Sequence, residues 1–253
     1  MVANSPDPVR PLGTFSFVFP MWNEEAIIER TIAAACEAGD RLVEEGEVAA
    51  YEIVVVNDAS TDATGAIADR LAAEVPNVVV VHHPVNRKLG GSIKTAFATA
   101  TGDFVLYTDA DLPFDLLDVV KAMRLMRVYE ADLVSAYRFD RTGEGPRRAI
   151  YSYAYNTLIR VLYGVRVRDV NFAFKLMRRE VLDKIELRSE GSFIDAELLC
   201  RADAAGFHTI QFGVDYFPRS RGESTLSSPS VILKIVRELW ELYPELKAQR
   251  AAR

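Results

Sequence analysis

Two carboxylates one residue apart, Asp109 and Asp111, directly follow the apolar run Phe104-Val105-Leu106-Tyr107. Hard divalent cations take oxygen ligands, and a metal shared with substrate phosphates needs only one or two carboxylates from the protein. In open α/β folds, ligands gather beyond the carboxyl ends of the strands, which is where this pair falls. The plain alternative makes Asp109 a turn residue and Asp111 the cap of a helix starting near Phe114. The Asp-Ala-Asp triplet by itself leaves the two open.

Other apolar runs end in polar clusters of the same kind. Residues 14 to 20 lead to Trp22-Asn23-Glu24, with Asn23 suited to cap the helix that follows. Residues 51 to 56 lead to Asn57-Asp58, and residues 77 to 81 to a loop that reaches Arg87-Lys88-Leu89-Gly90-Gly91. Asp58 has the chemistry to hydrogen-bond a base or ribose, while Gly90 and Gly91, opening a helix, would let backbone approach a phosphate. Singly, Asp58 also suits an Asx-turn and the glycine pair an ordinary loop. Together, four clusters on one sheet edge indicate a ligand site. His82, His83 and His208 are expected to be surface or packing residues.

The elements that must position these residues alternate regularly. From 14 to 137, runs of strand and helix character follow one another, with 131 to 137 as the fifth strand. This pattern predicts an α/β fold, a mostly parallel sheet covered by helices on both faces. Beyond it the sequence predicts a helix over 147–163, a strand over 172–177, a helix over 194–205 and a strand over 209–217. An amphipathic helix closes the chain from 230 to about 247. One domain is expected over 14–226, followed by the C-terminal helix within 227–253.

With 253 residues and 49% hydrophobic content, the chain can bury a full core. A net charge of −6 argues against a nucleic-acid partner. The charge is uneven, however: residues 138–179 hold ten basic side chains against three acidic ones, so an anionic partner should dock there. Cys36 and Cys200 suggest reduced thiols, neither a disulfide nor a zinc site. No apolar run approaches ~18 residues, and residues 1–13 lack the pattern of a signal peptide, so a cytoplasmic protein is expected.

The segments FPMWNEE, VVVNDASTD, KLGGSIKTAF and YTDADLP, in this order, resemble family 2 glycosyltransferases of the GT-A fold. Downstream, DVNFAFKLMRREVL, FIDAELLCRADAAGF and FPRSRGESTL are similar to the dolichyl- and polyprenyl-phosphate sugar synthases of that family. The resemblance spans about 14–226 and implies a donor half over 14–137 and an acceptor half over 138–226. Carried over by position, Pro20, Trp22 and Glu24 would line the nucleotide pocket. Asp58 would read the base, with Lys88, Gly90 and Gly91 close to the nucleotide. Asp109 and Asp111 would hold the diphosphate through Mg²⁺ or Mn²⁺. Arg138, with Arg147 or Arg148, Arg219 and Ser224, would clamp the acceptor phosphate and the diphosphate. Arginine suits this because its planar fork pairs bidentately with phosphate. Two positions depart from the family: Pro113 stands where a metal-assisting Gln is usual, and Thr225 where a Lys is usual.

The implied reaction is inverting transfer of a hexose, mannose or glucose, from a GDP- or UDP-sugar to polyprenyl or dolichyl phosphate. It would take place at the cytoplasmic face of a membrane, reached through a surface helix or a membrane-embedded partner. The tyrosines and arginines of 147–163 suit such a surface. A transferase acting on a sugar or protein hydroxyl is the alternative, with Asp195 as base, since a hydroxyl must lose its proton. A nucleotidyltransferase and a non-catalytic nucleotide-sugar-binding subunit are the other classes weighed.

Overall fold

Short runs of valine, isoleucine and phenylalanine form the strands because branched and aromatic side chains fit a pleated, buried surface. A computed structural model describes residues 12–139, 146–217 and 229–251, side chains excepted at 146–149, 229–236 and 251. In chain order the elements are β1 (Thr14–Met21), α1 (Ile28–Glu44), β2 (Ala50–Asn57), α2 (Thr64–Glu74), β3 (Val78–His82), α3 (Lys88–Thr99), β4 (Phe104–Thr108) and α4 (Asp118–Val128). The second half adds β5 (Leu133–Arg138), α5 (Pro146–Tyr163), β6 (Phe174–Arg178), α6 (Arg179–Lys184), α7 (Ile194–Ala204), β7 (Thr209–Val214) and α8 (Pro229–Ala251).

The strands form one seven-stranded sheet in the order β3-β2-β1-β4-β6-β5-β7. All neighbours run parallel except β6, which is antiparallel to both β4 and β5. The expected α/β architecture is therefore present. The carboxyl ends of every strand but β6 lie on one edge.

The period-two alternation of the strands sorts side chains into two cores. Phe15, Phe17, Phe19, Ile53, Val55 and Leu106 face one side, against Ile28, Ile32 and Leu42 of α1 and Met123 of α4. Val18, Val54, Val56, Val105 and Tyr107 face the other, against Ile93 and Phe97 of α3 and Ile194 and Leu198 of α7. Fully burying one such side chain stabilises the fold by about 1.5–3 kcal/mol.

α8 is part of this second core. Leu239 and Leu246 are buried, Tyr163 Oη donates to Leu239 O at 2.7 Å, and Arg201 pairs with Glu245 at 2.9 Å. The helix continues through Pro244 to Ala251, past the predicted end.

Two caps that the sequence allows, one expected at Asn23 and one offered as the alternative role of Asp111, are not formed. Asn23 stands outside α1, which begins at Ile28 with no side-chain cap; Asn23 instead accepts a hydrogen bond from Thr61 N at 2.8 Å. Asp111 does not cap a helix either. The next helix begins only at Asp118, and Asp115 accepts the hydrogen bond from Leu117 N at its start.

Candidate active site

From β1 the chain winds one way through β2 and β3, while β4 lies on the other side of β1. A crevice opens at such a reversal, beyond the carboxyl ends of the two diverging strands. Pro20 and Trp22 stand at the end of β1, Asp58 at the end of β2, and Asp109 and Asp111 at the end of β4. These sequence-predicted residues are thus gathered on one edge by topology. Trp22 is about half exposed and Lys88 is exposed; Pro20, Glu24, Asp109 and Asp111 are half-buried.

The loops after β1 and β2 are tied into one unit by reciprocal hydrogen bonds. Asn23 N donates to Ser60 Oγ, Glu24 N to Thr64 Oγ1 at 2.8 Å, and Ala63 N to Glu25 Oε2 at 2.8 Å. Four non-glycine residues with left-handed backbone lie in the strand-end loops: Asn23 (φ 57°), Ala59 (φ 55°), Lys88 (φ 60°) and Leu112 (φ 43°). Outside Asn and Asp this conformation is uncommon, and it costs on the order of 1–3 kcal/mol per residue. Such strain concentrates where loop shape matters for function.

Asp58 is buried and fixed. Its Oδ1 lies 2.7 Å from His83 Nδ1 and accepts from Arg87 N at 2.7 Å, and His83 Nε2 is 2.9 Å from Thr95 Oγ1. His83 was expected to be a surface or packing residue; the structure makes it the buried support of Asp58. Its place directly after β3, level with Asp58 after β2, was the available signal.

Gly90 and Gly91 are both buried, and the close approach that glycine permits is made by the chain itself. A Cβ on Gly90 would meet Ser189 O at 2.3 Å, and Gly90 N donates to Glu190 O at 3.1 Å. α3 begins two residues earlier than expected, at Lys88. The loop at 188–191 is anchored in turn by Glu197, whose carboxylate accepts from Arg188 N and Ser189 N.

Next to the Asp109–Asp111 loop lies a buried charged cluster. Lys175, fully enclosed on β6, is the register neighbour of Tyr107 on β4 and of Ser135 on β5. Its Nζ donates to Phe172 O. Burial pushes the ammonium pKa down, while Asp195, Asp169 and Asp109 oppose that shift. Asp195, in the first turn of α7, is only 4% exposed, and its Oδ1 has no hydrogen-bond partner among the described residues. Burial raises its carboxyl pKa to about 6, with Lys175 pulling down and Asp169 pushing up. Tyr107 is raised well above the usual tyrosine range, first by burial and then by Asp195, Asp109 and Asp111.

Arg138, at the end of β5, is nearly buried and held by Asp169 through two contacts, Nε–Oδ2 at 2.7 Å and Nη2–Oδ1 at 3.1 Å. Its guanidinium also lies over the rings of Phe172 and Tyr216. Arg147 and Arg148 fall in the first turn of α5, with side chains outside the described residues; Arg219 and Ser224 lie wholly outside them. Neither Lys175 nor Asp169 is among the sequence-predicted site residues. A lysine inside the apolar run Phe172-Ala173-Phe174-Lys175-Leu176-Met177 was the visible signal.

Asp109 and Asp111 suit a hard divalent cation by donor chemistry, offering carboxylate oxygens from one short loop. Among the described residues no third His, Cys, Asp or Glu joins them in a group, so water and substrate phosphates would supply the remaining ligands.

The profile of glycosyl transferase family 2 matches residues 16–186. The chain is 33% identical to glycosyltransferase AglD of Haloferax volcanii over 236 residues, which is 90% of this chain but 37% of AglD. It is 31% identical to polyprenol monophosphomannose synthase of Mycolicibacterium smegmatis, covering 89% of this chain and 86% of that one. Among solved structures, glucosyl-3-phosphoglycerate synthase of Mycobacterium tuberculosis superposes with a TM-score of 0.70 at 21% identity, over 92% of this chain and 80% of that one. That likeness is one of fold, and the fold is the GT-A fold of glycosyltransferases. With the family profile covering most of the sheet and the strand-end loops, this chain belongs to glycosyl transferase family 2.

Proposed function

We propose that the protein transfers a hexose, mannose or glucose, from GDP- or UDP-hexose to a polyprenyl or dolichyl phosphate, with inversion at the anomeric carbon. The observation that carries this reading is the near full-length match to polyprenol monophosphomannose synthase. The site geometry agrees with it. Asp58 and Trp22 flank the crevice on the side where a nucleoside would lie, and Asp109 and Asp111 stand across it at the end of β4.

In this reading Asp109 and Asp111 would hold Mg²⁺ or Mn²⁺, which would supply positive charge to offset that of the diphosphate leaving group. An oxygen of the acceptor phosphate forms the new bond to the anomeric carbon as the bond to the nucleoside diphosphate breaks. That oxygen is already anionic near neutral pH, so no residue has to remove a proton. Arg138, oriented by Asp169, would face the acceptor phosphate or diphosphate together with Arg147, Arg148, Arg219 and Ser224. Fixed donors of this kind act where charge develops, at no reorganisation cost. Lys88 and the α3 N-terminus would lie on the nucleotide side.

A second reading has one observation in its favour. Asp195, with a carboxyl pKa raised to about 6, has the basicity that a general base for a hydroxyl acceptor needs. Its enclosure, at 4% exposure, weighs the other way, because a base must touch the proton it removes.

The deciding experiment supplies GDP- and UDP-hexoses with Mn²⁺ and compares polyprenyl phosphate with the corresponding free polyprenol. Sugar recovered in the lipid phosphate, with release of nucleoside diphosphate, is the expected result. Transfer to the free alcohol alone, or to neither, would overturn the reading.

A further inference from the structure

A groove of about 510 Å³ lies between the end of β5 and α5. It is lined by Tyr137 and Phe139 after β5, by Tyr153 and Arg160 of α5, and by Arg166 and Arg168 of the segment that follows. The proposed transfer reaction uses none of these six side chains. Arg138 borders the groove too, but its charge is engaged by Asp169.

The three remaining arginines are exposed, and among the described residues none makes an ion pair. Two of them are presented from a fixed backbone. Arg168 N donates to Gln211 Oε1 at 2.8 Å and Gln211 Nε2 donates to Arg166 O at 2.9 Å, pinning the segment to β7. On its other side Asn156 Nδ2 donates to Arg168 O at 3.1 Å and Asn156 Oδ1 accepts from Val170 N at 3.1 Å. The Arg168 guanidinium is stacked over the Tyr137 ring, 4.6 Å from its centroid. Two guanidinium groups carried on a fixed backbone, with no ion-pair partner among the described residues, are complementary to phosphate oxygens.

What surrounds the groove identifies the source of the phosphate. Tyr153, Asn156, Thr157 and Arg160 follow the i, i+3, i+4, i+7 spacing of a single helix face. On the neighbouring face α5 leaves Ile150 (64%), Leu158 (38%) and Val161 (74%) exposed, with Tyr151 beside them. Phe139 (64%) and Tyr153 (73%) are exposed at the rim. A free phosphate in water gives no reason for apolar side chains around its site. A bilayer does, since aliphatic residues enter the acyl boundary while tyrosine and arginine stay at the headgroups. No helix among the described residues is long and apolar enough to cross a membrane, so contact through this face would be interfacial.

We propose that the groove of Arg160, Arg166 and Arg168 is a headgroup site for anionic phospholipid, through which α5 docks on a bilayer. The end of β5 belongs to the sheet edge that carries Asp109 and Asp111, so docking here sets that edge close to the lipid surface. The inference holds whatever acceptor the crevice uses, and its test contains neither donor nor acceptor.

The test is co-sedimentation with vesicles of phosphatidylcholine, with and without phosphatidylglycerol, at low and high salt. The full chain should pellet with phosphatidylglycerol vesicles at low salt and be released by high salt. Arg166→Ala with Arg168→Ala should weaken binding about 30-fold, the equivalent of about 2 kcal/mol for two basic residues. Arg166→Ala alone, which leaves the Tyr137 stack in place, should weaken it about fivefold with an unchanged melting temperature. Val161→Asp should reduce binding while leaving the melt unchanged. The proposal is overturned if wild type stays in the supernatant, binds phosphatidylcholine equally well, or is matched by the double variant. It is also overturned if inorganic phosphate protects the protein against melting through these arginines while no vesicle binding occurs. Failure here leaves the transfer reaction to be judged by its own product assay.

Discussion

His83 Nδ1 stands 2.7 Å from Asp58 Oδ1, with both side chains buried where β2 and β3 run out into the crevice. A carboxylate enclosed in this way keeps one orientation, because Arg87 N and His83 both claim the same oxygen. If Asp58 contacts the nucleoside, His83 sets the angle of that contact without touching the ligand itself.

His83→Ala should therefore raise KM for the nucleotide sugar about tenfold or more while kcat changes little. A hydrogen bond to a charged group is worth about 1.5–3 kcal/mol. Steady-state kinetics with varied donor would check the split. His83→Asn, which can still donate to Asp58, should recover part of the loss. An equal fall in kcat with KM unchanged would assign His83 to another role.

Asp111→Asn should abolish turnover and leave the fold intact, as should Asp109→Asn. Both residues are half-buried in a loop, and neither helix nor strand depends on them. Isothermal titration of Mn²⁺ in the presence of nucleoside diphosphate should lose its signal in both variants. Full activity in EDTA would remove the metal from the reaction.

Much of this arrangement was legible in the sequence. Strand runs such as Ile53 to Val56 announce themselves because a strand buried on both faces is built almost wholly of apolar residues. Polar clusters at their ends then fall on one edge by topology, which gathers Asp58, Asp109 and Asp111 there. What sequence periodicity could not show were long-range partners. The packing of Gly90 and Gly91 against Ser189–Glu190, about a hundred residues later in the chain, is one such contact. The partner of Arg138 is Asp169, across a connection that contains all of α5. Lys175 is not legible in the same way, because a strand lysine usually signals an exposed edge, whereas β6 is inserted between two other strands.

Asp195 gives the stability curve a definite sign. Its carboxyl is raised from an unfolded value near 4 to about 6, chiefly by burial and despite Lys175. The folded state thus holds the proton more tightly than the unfolded chain. The associated stability is fully present below about pH 4 and is lost as pH rises through about 6. A shift of this size corresponds to about 3 kcal/mol once both states are ionised. Asp195→Asn removes the titration, so its stability relative to wild type should improve between pH 4 and pH 8. Urea melts across that range would show it. Parallel curves would mean that Asp195 titrates normally. The same variant separates acceptor classes: a phosphate acceptor predicts little loss of kcat, and a hydroxyl acceptor a loss on the order of 10²-fold or more.

Lys175 and Asp195 should behave as a coupled pair. The ammonium is fully buried, and Asp195 is the carboxylate with the largest influence on it. Removing one member of a buried pair leaves the other charge uncompensated, at a cost of about 3–5 kcal/mol, whereas replacing both by neutral groups is often close to harmless. Lys175→Met should accordingly lower the melting temperature by roughly 6–20 °C, given about 2–4 °C per kcal/mol for a domain of this size. It also strips the charge that holds the Asp195 carboxyl down, so the Asp195 titration should move above 6. Lys175→Met combined with Asp195→Asn should be more stable than Lys175→Met alone near neutral pH, because the second change removes the orphaned carboxylate. Asp169 and Asp109 also bear on Lys175, so the recovery should stop short of wild type. A double-mutant cycle by urea denaturation measures the coupling directly. Strict additivity of the two substitutions would show that the lysine answers to Asp169 or to the Asp109 loop and that Asp195 stands apart from it.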